Sequence, residues 1–124
     1  MTKTLDQMTL DELRAWKPTK ADPETIADMA ERIAKVAHPH KIILIGSYAR
    51  GGATEHSDVD FVVVQESDLP RPKRSIALYA AVKDFLHPVD IVVYTPAEVE
   101  EYSDLPNSFI QTALREGKVL YEKE

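Results

Sequence analysis

The 124-residue chain has no cysteine, which excludes disulfides, thiolate metal centres and cysteine nucleophiles. Aromatic residues make up only 7% of it, and no apolar run approaches the roughly 20 residues that a membrane-spanning helix needs. Basic residues are in deficit. Fifteen Lys and Arg against 21 Asp and Glu leave a net charge of -6, so strong direct nucleic-acid binding through phosphate neutralisation is not expected. The segment Met1 to Met8 lacks an apolar stretch between basic and small residues, so no secretory signal is read and a cytoplasmic protein is expected. Glycine is scarce too, with four in all, yet Gly46, Gly51 and Gly52 fall within seven positions. Bare backbone is needed at that spot.

What remains is an ordinary globular composition, 44% hydrophobic and 29% charged, short enough for one domain over residues 1–124. The first eight residues and Tyr121 to Glu124 read as frayed ends. Thr9 with Glu12 makes a capping box ahead of Leu10, Leu13 and Trp16, a short helix stopped before Pro18. Asp22-Pro23 opens a second helix whose apolar set Ile26, Met29, Ala30, Ile33 and Ala37 follows the helical period until Pro39. Lys41 to Ile45 and Val59 to Val64 are β-branched runs that predict buried strands. A helix with the stripe Ile76, Tyr79, Val82 and Leu86 is expected to run until Pro88 stops it, followed by a strand from Val89 to Tyr94. Pro96 opens a short helix through Glu98 to Tyr102. A last helix, Ser108 to Glu116, is closed by Gly117, and Val119 to Tyr121 reads as a small edge strand. The expected class is α/β (α+β), a small mixed sheet packed by helices.

The chemistry lies between the first two strands. Gly46-Ser-Tyr-Ala-Arg-Gly-Gly52 turns from strand into a helical start, presenting backbone N–H groups and the Ser47 hydroxyl at one point, an arrangement suited to a triphosphate. Gly46 is read as letting backbone approach that anion, and Arg50 as able to add a charged contact. Ten residues after Ser47 come Asp58 and Asp60, which strand alternation points to one face. Strands normally avoid aspartate, and two like charges side by side call for a hard divalent cation, with Mg²⁺ the best fit to oxygen ligands and substrate phosphates. Asp90 opens the third predicted strand at the same depth. If that strand lies beside the second, a third carboxylate joins the pair, which supplies the parts for two-metal phosphoryl-group chemistry.

Gly46-Ser47, ten residues, then Asp58-x-Asp60, with Asp90 opening a later strand, resembles the signature of the DNA polymerase β nucleotidyltransferase superfamily, and in particular its minimal nucleotidyltransferases. The similarity covers about residues 24–121 as an order of elements, with the sharp motif confined to Gly46 to Asp60. The resemblance implies that Ser47 binds the triphosphate, beside Gly46 and Arg50 as read above, that Asp58 and Asp60 ligate Mg²⁺, two ions being expected, and that Asp90 completes the metal site and helps activate the acceptor hydroxyl. It further implies transfer of AMP from ATP to a hydroxyl, a tyrosine in the MntA-like members, on a cognate HEPN ribonuclease toxin, with the chain acting as antitoxin in a hetero-oligomer. No second domain that would hold a small acceptor is evident in these residues, which favours a macromolecular target. The alternatives are an antitoxin that neutralises its toxin by binding alone, and an aminoglycoside-type small-molecule adenylyltransferase.

Other features have blander readings. His38 and His40 flank Pro39 as surface residues of a turn. The spacings Arg32 to His38 and Arg50 to His56 match a loose ribonuclease pattern by chance. Arg71, Lys73 and Arg74 read as a solvated helix start, and Glu98, Glu100, Glu101 and Asp104 as a wet acidic face with docking on a basic partner as the second option. Arg50 stands between a phosphate contact and a salt bridge to Glu55 or another carboxylate.

Overall fold

The computed structural model describes residues 4–123. A 3-10 turn, Leu5–Gln7, leads into α1 (Leu10–Ala15), α2 (Pro23–Ala37), β1 (Lys41–Ile45), α3 (Ser47–Arg50) and β2 (Val59–Val64). Then come α4 (Arg71–Arg74), α5 (Ile76–Val82), β3 (Val89–Tyr94), α6 (Pro96–Ser103), α7 (Phe109–Glu116) and β4 (Lys118–Glu122). The strands form one sheet in the order β3-β2-β1-β4. β1 is antiparallel to β2 and β4, and β2 is parallel to β3, so the expected mixed sheet is present.

Both faces of the sheet are covered. Ile42, Leu44, Val59, Phe61, Val63, Ile91 and Val93 point to one side, against Ile26, Met29, Ala30 and Ile33 of α2 and Leu78 and Val82 of α5. Ile43, Val62, Val64 and Tyr94 point to the other, against Ile110 and Ala113 of α7, with Val99 and Tyr102 of α6 alongside. This two-sided burial is why the strands read as continuous β-branched runs and their limits were legible. Helix starts are fixed by side chains: Asp22 accepts the Thr25 amide at 2.7 Å, Thr95 and Glu98 form a capping box, and Ser108 accepts the Gln111 amide at 3.0 Å.

Several expectations need correction. The chain ends as described are not frayed: Leu5 donates to the Asp84 carbonyl at 2.7 Å, and Tyr121 and Glu122 belong to β4, where Lys41 pairs with Glu122 at 3.0 Å. Residues 1–3 and 124 lie outside the described residues. α5 stops at Val82, six residues before Pro88, and its buried stripe is Leu78 and Val82 with Phe85 beyond it, while Ile76 is 65% exposed. The segment after Val82 is held as a turn by tertiary contacts. Asp84 pairs with Arg32 at 2.6 Å, and the Arg32 guanidinium lies 4.6 Å above the Phe85 ring, so burying Phe85 prevails over continuing the helix.

Gly117 closes α7 as expected, its amide bonding the Ala113 carbonyl at 2.8 Å from an extended backbone, φ -76°. Its need for glycine is steric, since a Cβ there would run into Ile43 and the Ala113 carbonyl. Arg71 and Arg74 are not a solvated start, and Glu98 is not on a wet face. Arg74 meets Glu98 at 2.6 Å and Arg71 meets it at 3.2 Å while stacking 4.5 Å over Tyr94, a clamp of α4 on α6. These cations hold the Glu98 carboxyl at a pKa of about 2, the Arg74 bond being the largest cause.

Candidate active site

Strand register assembles the site. Because β1 and β2 are antiparallel, the end of β1 lies beside the start of β2, with Ile45 paired to Asp60. Because β2 and β3 are parallel, Asp60 stands opposite Asp90. The Val59 amide donates to the Pro88 carbonyl at 2.8 Å and locks the two strand starts together. Opposed residues on neighbouring strands are about 4.8 Å apart and share a face, so both carboxylates rise on the side of Val62 and Val92. Asp58 sits one residue before β2, exposed to solvent.

The turn from β1 is anchored at both ends. Tyr48 packs against the core, and its hydroxyl accepts the Ala21 amide at 2.9 Å, tying α3 to the segment before α2. Ala49 and Arg50 donate their amides to the Gly46 carbonyl, and the Ser47 and Tyr48 amides at the helix start have no intrahelical acceptor. Gly46 has φ 73° and ψ -156°, a conformation reserved for glycine. A Cβ there would clash with Asp60 Oδ2. Backbone conformation and room for the Asp60 carboxylate thus each require glycine at this position.

Gly51, with φ 84°, caps α3, while Gly52 faces open space. The return of the loop is the work of Thr54 and Ser57: the Thr54 amide bonds Ser57 Oγ at 2.9 Å, and the Ser57 amide bonds the Thr54 carbonyl at 3.1 Å. The salt bridge between Arg50 and Glu55 does not form. Glu55 lies 3.7 Å from His56 instead, and Arg50 takes no ion-pair partner among the described residues.

Beside this row of residues opens a cleft of about 320 Å³. One wall carries Gly46, Arg50, Asp60 and Asp90, and the other is α7, presenting Phe109, Thr112 and Glu116. Phe109 is 47% exposed and stacks on Tyr94 with ring centres 6.2 Å apart. The sequence reading missed this wall, although an aromatic at the first position of a Ser-capped helix was a usable signal. It also took Tyr79 for a core residue. The Tyr79 hydroxyl in fact lies 3.0 Å from Asp90 Oδ1, and burial raises its pKa above the usual phenol range, so it stays protonated.

Burial pushes the Asp60 carboxyl above its usual value of 3.8, the charges of Asp90 and Asp58 push it the same way, and Arg50 pulls it back. Among the described residues no group of three or more His, Asp or Glu side chains is placed so that it could by itself hold a metal ion. The donor chemistry nonetheless fits a hard divalent cation. Crowded carboxylates whose mutual repulsion is felt at Asp60 would be relieved by one, and Mg²⁺ takes only one or two carboxylates when substrate phosphates and water complete its shell.

A glycine turn, an aspartate pair in register across parallel strands, and a cleft over one sheet face define an α/β protein built for phosphate-ester chemistry. Residues 24–124 match the family described as Polymerase beta, Nucleotidyltransferase, and the chain belongs to that family. Two candidate protein adenylyltransferases of Methanocaldococcus jannaschii are similar. One is 37% identical over 83 residues, covering 65% of this chain and 77% of the relative; the other is 47% identical over 45 residues, covering 36% and 29%. Among solved structures, a candidate nucleotidyltransferase of Sulfolobus solfataricus superposes with a TM-score of 0.53 at 17% identity, covering 78% of this chain and 77% of that one. A toxin–antitoxin structure with AMP-PNP gives a TM-score of 0.51 at 22% identity, covering 79% and 74%. The chain is thus a nucleotidyltransferase by family and by fold. Among the described residues no helix is long and apolar enough to cross a membrane.

Proposed function

We propose that the chain transfers AMP from ATP to a hydroxyl on a partner protein, releasing pyrophosphate. The observation that carries this reading is the register that sets Asp60 opposite Asp90 beside the Gly46-Ser47 turn, with Asp58 near enough for its charge to be felt at Asp60. A protein acceptor agrees with the Methanocaldococcus jannaschii relatives, named as candidate protein adenylyltransferases. The partner we infer is a HEPN-class toxin modified on a tyrosine, in a cytoplasmic hetero-oligomer where this chain is the antitoxin. The fold shared with a toxin–antitoxin structure that carries AMP-PNP is consistent with that assignment.

In this reading the triphosphate lies at the start of α3, where the Ser47 hydroxyl, the free amides of the first turn and Arg50 receive its charge. Phe109 offers a flat apolar wall for the base. The acceptor hydroxyl enters on the β3 side, where an Asp90 oxygen takes its proton as the acceptor oxygen attacks the α-phosphorus. The bond from that phosphorus to the α–β bridging oxygen breaks, and pyrophosphate leaves toward Ser47 and Arg50. Asp58, Asp60 and Asp90 would hold Mg²⁺, which supplies charge neutralisation to the phosphates and lowers the pKa of the attacking hydroxyl. Positioning and fixed charge account for most of the rate that such a site gives.

The test is to co-express the chain with the protein encoded beside it and follow transfer from labelled ATP. Asp60→Asn is expected to lower labelling by roughly 10³-fold or more, the scale of losing a preorganised charge at the reacting centre. Undiminished labelling in a folded Asp60→Asn protein would remove the proposed site.

A further inference from the structure

β3 is the outer strand on its side of the sheet, so the amides that face away from β2 have no strand to bond. Tyr79 of α5 reaches across that open edge. Its hydroxyl accepts the Ile91 amide at 2.9 Å and lies 3.0 Å from Asp90 Oδ1. The other acceptor within reach of its proton among the described residues, the Ile91 carbonyl, is at 3.5 Å. A phenol has one proton, and the nearer, charged oxygen takes it. With one lone pair filled by the amide and the proton committed to the carboxylate, the hydroxyl is an oriented donor. Asp90 lines the cleft and Tyr79 does not, so the tyrosine touches the aspartate from outside the reacting space.

The geometry points to Tyr79 as the positioning residue of Asp90: it fixes Oδ1 outward and leaves Oδ2 as the oxygen available to the cleft. Asp90 is otherwise exposed, and an exposed aspartate turns freely about two side-chain torsions. A carboxylate that must meet a hydroxyl or a cation within a fraction of an ångström gains from one restraint of this kind. A staple of α5 on β3 alone would need only an acceptor for the Ile91 amide, and the hydroxyl proton is left over for Asp90. What Asp90 then does rests on the nucleotidyl-transfer reading; the restraint itself does not.

The first test uses the full chain and no ligand. Three-bond couplings to the Asp90 carboxyl carbon, measured by NMR, report its side-chain rotamer. One rotamer is expected in the wild type and an averaged set in Tyr79→Phe, which keeps the ring and loses both hydrogen bonds. An averaged Asp90 in the wild type, or a fixed one in Tyr79→Phe, overturns the proposal. The second test is a double-mutant cycle with Asp90→Asn, read as Mn²⁺ affinity by electron paramagnetic resonance with a non-hydrolysable ATP analogue. Tyr79→Phe should weaken Mn²⁺ about three- to tenfold when Asp90 is present, the net worth of one ordinary solvent-exposed hydrogen bond, and not further when it is Asn. Equal loss in both backgrounds means that Tyr79 acts through the fold and contradicts the proposal. A fixed Asp90 that Tyr79→Phe releases, in a protein that binds no Mn²⁺ and labels no partner, would count against the transfer reading while leaving the role of Tyr79 intact.

Discussion

The glycine cluster gives the sharpest mutational forecast, because its three members meet different surroundings. Gly46 combines φ 73° and ψ -156° with a Cβ position that overlaps Asp60 Oδ2. A non-glycine residue in that region of backbone space costs about 1–3 kcal/mol. The clash adds a smaller cost, since Asp60 Oδ2 is the end of a side chain that can turn aside, and its chief effect is to move a carboxylate of the site. Gly51 has φ 84° and ψ 8° but open space around it, so Gly51→Ala should cost only the left-handed penalty of about 1–2 kcal/mol. Gly52 has neither constraint, and Gly52→Ala should be neutral or stabilising by about 0.4–1 kcal/mol through the unfolded chain. Urea denaturation of the three alanine variants should therefore rank Gly46 worst and Gly52 best. Transfer activity should fall by more than tenfold in Gly46→Ala alone, because only there is a carboxylate displaced. Three equal losses, or a Gly46→Ala protein as stable and active as its parent, would refute the reasoning.

Other expectations follow from charge and burial. Asp60 has a folded pKa raised above its usual 3.8, so its contribution is fullest at low pH and is lost as pH rises through the folded value. Asp60→Asn should accordingly raise the melting temperature at pH 7 while abolishing transfer, and an unchanged or lower melting temperature would contradict the sign. Glu98 behaves oppositely. Its stabilisation is present above 4.5 and is lost as pH falls toward about 2, so Glu98→Gln should lower stability at neutral pH and flatten the acid limb of a pH–stability curve. Phe109→Ala should weaken ATP binding by roughly tenfold, the scale of one lost base stack, with little change in fold because the ring is half exposed. Isothermal titration with an ATP analogue checks it.

What could be read in advance divides along physical lines. The ends of β1, β2 and β3 were legible because strands buried on both faces are continuous apolar runs stopped by Pro39, Gly46 and Pro88. That Asp60 meets Asp90 required only the condition that β3 lie beside β2, which the topology supplies. Interactions between residues far apart in the chain were not legible. Phe85 competes with helix continuation, Glu98 is drawn to Arg71 and Arg74 across more than twenty residues, and Gly117 yields room to Ile43. Tyr79 fits an apolar stripe by spacing, but its hydroxyl is used at a strand edge that periodicity cannot show. Gly46 was legible as needing bare backbone, but the crowding by Asp60 was not, because it arises from strand register.

The central claim is that the Gly46-Ser47 turn and the three aspartates move a nucleotidyl group, and the position of the label in ATP tests it most directly. The chain, its co-purified partner and Mg²⁺ are incubated in parallel with α-labelled and γ-labelled ATP, and the label on protein and in released pyrophosphate is counted. The account predicts that the α-label appears on the partner and the γ-label in pyrophosphate, in equal amounts, with both lost in Asp60→Asn. Label on the partner from γ-labelled ATP, or equal α-labelling by wild type and Asp60→Asn, would contradict it.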